Sequence, residues 1–147
     1  SEARVALLFV DLDGFKQIND RLGHAMGDRV LQWAARAITG AVREVDTVSR
    51  LGGDEFVIVL DAGSDAAVAA KVAHKIIAAL SRTCRVGNHR ARLSASIGIS
   101  LFPDHGEQAA RLIDHADAAM YDAKQGGSGV VCVYGDAPAA RQADVRR

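Results

Sequence analysis

The sequence predicts an α+β fold, a central and mostly antiparallel sheet with helices packed around it. Three observations lead there. Apolar or alternating stretches of strand type (Val5 to Val10, Phe56 to Leu60, Leu93 to Leu101) are interleaved with stretches of helical period. Gly52-Gly53-Asp54 separates two strand-like segments with hairpin turn chemistry, which makes those strands antiparallel. And 147 residues, 49% hydrophobic and 24% charged, suffice for one domain with a real core.

Val5 to Val10 is continuously apolar and β-branched-rich, the pattern of a strand buried on both faces. The polar "DLDGFKQINDRLGHAMGD" follows, with room for one short helix around Phe15 to Leu22. A longer helix is expected from Asp28, because Val30, Trp33, Ala34, Ala37, Ile38 and Ala41 recur at helical spacing, with Arg29, Arg36 and Arg43 off that stripe. Asp46 to Leu51 and Phe56 to Leu60 form the hairpin. Val68, Val72, Ile76 and Leu80 mark a helix over Ala66 to Leu80, and "CRVGNHR" reads as a short turn or edge ribbon. Leu93, Ala95, Ile97, Ile99 and Leu101 then alternate with small residues expected on the face opposite the core, until Pro103 ends the strand. A helix over Gln108 to Gln125 and a last strand in "GVVCVY" complete a β-α-α-β-β-α-β-α-β order, whose first part has the split βαβ–βαβ pattern of ferredoxin-like folds. Residues 1–135 are expected to form the domain. Residues 136–147, rich in Ala, Arg and Asp without apolar periodicity, are expected to be a tail or a linker to a following domain.

Composition excludes several classes. Eighteen basic residues balance eighteen acidic ones, which gives no electrostatic case for a nucleic-acid polymer or an anionic membrane as partner. Cys84 and Cys132 have no metal spacing and are too few for a disulfide framework, so buried thiols in a reducing compartment are expected. The longest apolar runs are too short to span a bilayer, and no signal peptide is visible. The chain opens at Ser1 without Met, as a piece excised from something longer would. A cytoplasmic location follows, with attachment to a larger and perhaps membrane-anchored protein left open.

The chemistry concentrates where the predicted topology brings strand ends together. If the first and third strands are antiparallel neighbours, Asp11 at the end of one lies beside Asp54 and Glu55 at the start of the other. Three converging carboxylates require compensation, which a hard divalent cation provides. Such a site suits phosphoryl transfer, and Gly52 and Gly53 let a bulky ligand approach the backbone. An isolated G-G-D reads first as a turn; Asp11 and Asp13 after a buried strand shift the reading toward a metal. Phe15 and Lys16 open a short helix whose N–H groups suit phosphate oxygens. Asn19 and Asp28 could together pair with a purine edge, though by spacing alone both read as helix caps. His24 reads as a structural loop residue, and no histidine pair has zinc spacing.

"DLDGFKQINDRLGHAMGD", "SRLGGDEF", "SASIGIS" and "ADAAMYDAKQGG", in this order, resemble the GGDEF-type diguanylate cyclases from about Val5 to about Tyr134. The resemblance implies a cyclase palm related to the ferredoxin fold, and an enzyme that condenses two GTP into cyclic di-GMP with release of two pyrophosphates. It implies that Asp11 and Asp54 bind Mg²⁺ or Mn²⁺ with the backbone carbonyl of Leu12. Glu55 is implied near the attacking 3′-hydroxyl, as metal-site partner or general base. It further implies that Asn19 and Asp28 read guanine, that Phe15 and Lys16 lie at the phosphates, and that Lys124 reaches the triphosphate. Arg43 and Asp46 stand where the family carries an inhibitory R-x-x-D product site. The implied working form is a homodimer.

Two departures qualify the match. The family's usual A-K-x-x-G-R-N carries an arginine where this chain has Ser128, followed by Gly129. Losing a charge-assisted contact costs roughly 1.5–3 kcal/mol, which points to reduced activity. The family's usual D-x-L-T-x-L-x-N-R segment before the first strand is also absent. A catalytically weak GTP- or cyclic di-GMP-binding module that controls a neighbouring domain, such as a phosphodiesterase, is the alternative; a purely structural dimerisation domain is a third.

Overall fold

The computed structural model describes residues 4–61 and 63–136. Its sheet is built on β1 (Val5–Asp13), which runs antiparallel to β3 (Glu55–Leu60) on one side and to β6 (Ser94–Phe102) on the other. β2 (Thr47–Gly52) pairs antiparallel with β3 at one edge, and β7 (Val131–Val133) pairs parallel with β6 at the other, giving the order β2-β3-β1-β6-β7. β4 (Cys84–Val86) and β5 (His89–Ala91) form a separate two-stranded ribbon from the "CRVGNHR" segment.

The unbroken apolar run of β1 is explained by its central place. Ala6, Leu8, Val10 and Leu12 face the main core, with α2 (His24–Ala41) and α3 (Ala66–Leu80), while Leu7 and Phe9 face α4 (Ala109–Gln125). Successive side chains of a strand point to opposite faces, so burial of both parities requires helices on both sides. The side chain of Asp65 starts α3 by accepting from the Val68 N–H at 2.9 Å, an N-cap worth about 1 kcal/mol. α1 (Phe15–Leu22) buries no residue fully and leans on α2 through Phe15 and Ile18.

One expectation is corrected. α2 begins at His24 rather than Asp28, so Asp28 lies inside the helix and caps nothing. Gly27 lies in the first turns of α2, where a Cβ would overlap the Asn19 side chain from α1. The small residues of β6 do lie opposite the main core, as expected, but that face is covered as well. They form a second buried face under α4: Ser96 and Ser100 are fully buried, and the Ser100 hydroxyl donates to the Leu112 carbonyl at 2.7 Å. A Cβ on Gly98 would run into the α4 backbone at Ala116 and Met120, so glycine is what lets the helix lie on the strand. Cys84 and Cys132 are buried free thiols, and burial pushes both up in pKa. The tail from residue 137 lies outside the described residues. Among those described, no helix is long and apolar enough to cross a membrane.

Candidate active site

The site lies where β1 ends. Register places Asp11 opposite Glu55 on β3 and opposite Ser96 on β6. The β2–β3 turn at Gly53-Asp54 is tied to β1 by the Leu12 N–H, which donates to the Asp54 carbonyl at 3.1 Å, and Arg50 Nε braces the turn on the Gly53 carbonyl at 3.0 Å. Gly53 adopts φ 52°, a left-handed conformation that glycine accepts freely. A Cβ at Gly52 or Gly53 would meet nothing within 4 Å, so local packing does not demand these glycines and the space over the turn is open.

Asp11 is buried, with the Asp54 side chain within hydrogen-bonding reach. Lys124, in the last turn of α4, places Nζ 2.6 Å from Asp11 Oδ2, while Asp11 Oδ1 is buried with no partner. Burial raises the Asp11 pKa to about 6; Lys124 opposes this and the charge of Asp54 adds to it. Burial pulls the Lys124 ammonium down, but its hydrogen bond and attraction to Asp11 win and leave it above its usual value. The pair is therefore one in which the desolvation of Asp11 outweighs its ion pair. Glu55 is the third carboxylate expected at this point. It opposes Asp11 in the ladder, yet no group of three or more metal-competent side chains gathers among the described residues.

Asp13, two residues on, accepts from Ser96 Oγ at 2.7 Å, from the Gly129 N–H at 3.2 Å and from Ser128 Oγ at 3.3 Å. These bonds fasten the turn that follows Lys124 to the end of β1. At α1, Asn19 lies over Gly27, next to Asp28, and shares a 2.8 Å hydrogen bond with His24 Nδ1. Phe15 is half-buried at the start of α1 and Lys16 is exposed beside it.

Arg43 and Asp46 meet at the junction of α2 and β2. The Asp46 carboxylate, its side chain only 2% exposed, accepts from the Arg43 N–H at 2.8 Å, from its Nε at 3.3 Å and Nη2 at 3.2 Å, and from the Asp61 N–H at 3.0 Å. Arg43 Nη2 also donates to the Asp61 carbonyl at 2.7 Å. Burial works to raise the Asp46 pKa, but the hydrogen bonds from Arg43 and Asp61 hold it below the usual carboxylate range. A cavity of about 370 Å³ opens beside the pair, lined also by Thr39, Val42, Glu44 and Val48.

A sequence model of the family described as diguanylate cyclase, GGDEF domain, matches residues 1–129. The chain belongs to the GGDEF diguanylate cyclase family. Among relatives of this GGDEF domain, the bifunctional diguanylate cyclase/cyclic di-GMP phosphodiesterase MucR of Pseudomonas aeruginosa is 45% identical over 133 residues, 90% of this chain and 19% of that protein. The crystal structure of the GGDEF domain of TpbB from Pseudomonas aeruginosa is 43% identical, with a TM-score of 0.87 over 91% of this chain and 84% of that one. That of DgcB from Caulobacter crescentus, in complex with c-di-GMP, is 29% identical, with a TM-score of 0.82 over 91% and 80%. This GGDEF chain thus spans only part of the curated relatives it matches, 19% of MucR and 28% of TpbB.

The structure brings Asp11, Asp54 and Lys124 together, and it sets Asn19 against Gly27 and His24. In the sequence Asp13 counted only with Asp11 toward a metal, and Ser96 had no role; the structure gives them a fastening role instead. The one local signal was the second acid of "DLD", whose donors come from far along the chain.

Proposed function

We propose that this GGDEF domain is a diguanylate cyclase, condensing two GTP into cyclic di-GMP with release of two pyrophosphates. The observation that supports this most is the Asp11–Asp54 pair with one Asp11 oxygen buried and unpartnered. Two carboxylates and the Leu12 carbonyl form a hard oxygen set that fits Mg²⁺ or Mn²⁺. When bound, that ion supplies neutralisation of the carboxylates and of the phosphate charge.

The rest is done by the chain's own groups. Lys124, now on Asp11, is positioned to reach the triphosphate. N–H groups at Phe15 and Lys16 hold phosphate oxygens. The open backbone at Gly52 and Gly53 admits the nucleotide, and Asn19 and Asp28 read the guanine edge. Glu55 takes the proton of the attacking 3′-hydroxyl. The new bond joins that oxygen to the α-phosphorus of the second GTP as the bond to the bridging oxygen breaks and pyrophosphate leaves; repeating the step closes the ring. Each chain holds one GTP, so two copies must face each other. Residues 1–135 form the working unit, on the cytoplasmic side where GTP is available.

Product at Arg43 and Asp46 restrains the enzyme in this reading. The DgcB structure with c-di-GMP supports it, and so does the cavity beside the pair. Because Arg43 and Asp46 satisfy each other, product must displace their mutual bonds to bind. Ser128 favours a second reading, a weak or inactive nucleotide-binding module that regulates a neighbouring domain, which the bifunctional name of MucR also supports.

Incubating the chain with GTP and Mg²⁺ tests the proposal. Cyclic di-GMP and pyrophosphate are expected, with specific activity rising with protein concentration, and both are lost in Asp54→Ala. GTP binding without turnover in a dimerised chain supports the regulatory module instead. No GTP binding contradicts both.

A further inference from the structure

Apart from the catalytic reading, the surface of this charge-balanced chain is lopsided. A groove of about 390 Å³ runs between α2 and α3. Half-buried Trp33 and Ala37 and buried Ala41 line it, and exposed Arg36, Lys75 and Arg82 stand around it. Two clefts of about 290 and 260 Å³ adjoin the β4–β5 ribbon and share Arg90 and Arg92. Arg21 from α1 lines the first and Arg85 from β4 the second. No carboxylate lines any of the three, and none of these cations takes part in an ion pair among the described residues.

A solvated surface ordinarily intersperses both signs of charge. Here the ribbon sets Arg85 directly opposite Arg90, both exposed, while Cys84, Val86 and Ala91 turn inward. Like charges facing each other across strands cost stability, and neither arginine has an ion pair among the described residues. All the cations but Lys75 are arginine, whose planar fork grips carboxylates in pairs. The groove combines that charge with an apolar bed of tryptophan and alanine.

We infer that the α2–α3 groove docks an acidic amphipathic helix of a partner protein. The helix lays its apolar side over Trp33 and the alanines and its carboxylates against Arg36, Lys75 and Arg82. The ribbon arginines extend the positive field beside the groove and steer the approach. A nucleic acid fits less well, because a single half-buried tryptophan offers no run of stacking platforms.

Fluorescence anisotropy with a dye-labelled peptide, leucines on one helical face and glutamates on the other, tests the inference. Saturable, salt-sensitive binding is expected, weakened about tenfold or more in the Arg36→Glu/Arg82→Glu variant. Arg36→Gln/Arg82→Gln should weaken it as well, without adding negative charge, and circular dichroism melting checks that both variants fold. A peptide of the same composition in scrambled order should compete poorly, and one with lysine for glutamate not at all. The inference is overturned by no binding, by unchanged affinity in the two folded variants, by equal competition from the scrambled peptide, or by a single-stranded RNA binding more tightly than the peptide.

Discussion

Ser128 stands where the resemblance implies an arginine, and its surroundings show what the chain does with the position. Its hydroxyl joins Ser96 and the Gly129 N–H on Asp13, so the site is occupied by neutral donors. Arg111 does not replace the missing charge, for it lies in the first turn of α4 and Lys124 in the last, about 20 Å apart along the helix. Ser128→Arg is therefore expected to lower the KM for GTP by about tenfold or more with kcat changed less, the scale of one charge-assisted contact. Steady-state kinetics of the two chains check this, and an unchanged KM would count against a triphosphate role for the position. Asp11, Asp54 and Lys124 were legible through their motifs. The role of Asp13 was not, because all three of its donors arrive through topology, from β6 and from the turn before β7.

Elements were legible where apolar period and length agreed. The predicted bounds of α1 and α3 match the structure, since no long-range contact has to override their patterns. The start of α2 and the covering of the small-residue face of β6 by α4 were hidden, and in both a glycine serves a neighbouring element. Gly98→Ala would place a methyl group in the α4 backbone, which cannot give way without lifting the helix. A loss of about 3 kcal/mol or more is expected in denaturant unfolding, at or above the usual range for overpacking. At the α2–β2 junction, Arg43→Ala is expected to weaken cyclic di-GMP binding by calorimetry while leaving GTP binding intact. Unchanged product affinity would remove the feedback site. The same junction carries a pH signature. The lowered pKa of Asp46 means that its stabilisation is present above the ordinary carboxylate value and is lost as pH falls through the lowered one. The difference in melting temperature between the native chain and Asp46→Asn should shrink in acid.

The sheet as a whole does what no segment can. It carries Asp11 to the β2–β3 turn, and α4 carries Lys124 back across the sheet to the same point. The antiparallel β1–β3 pair followed from the hairpin and the split βαβ pattern. The burial of Asp11 there did not, because it depends on α4 closing over β6. The resulting imbalance, a buried carboxylate with one unpartnered oxygen, is the physical core of the metal-nucleotide reading. It also sets a sign. A carboxyl raised to about 6 contributes stability below its unfolded value and loses it as pH rises through about 6, so the metal-free chain should weaken over that interval. The most direct measurement is an NMR titration of the Asp11 carboxyl, without metal and then with Mg²⁺ and a non-hydrolysable GTP analogue. The account predicts a midpoint near 6 in the first case and a fall to or below the ordinary carboxylate value in the second. A midpoint that starts at the ordinary value, or that does not move when Mg²⁺ and nucleotide are added, would contradict it.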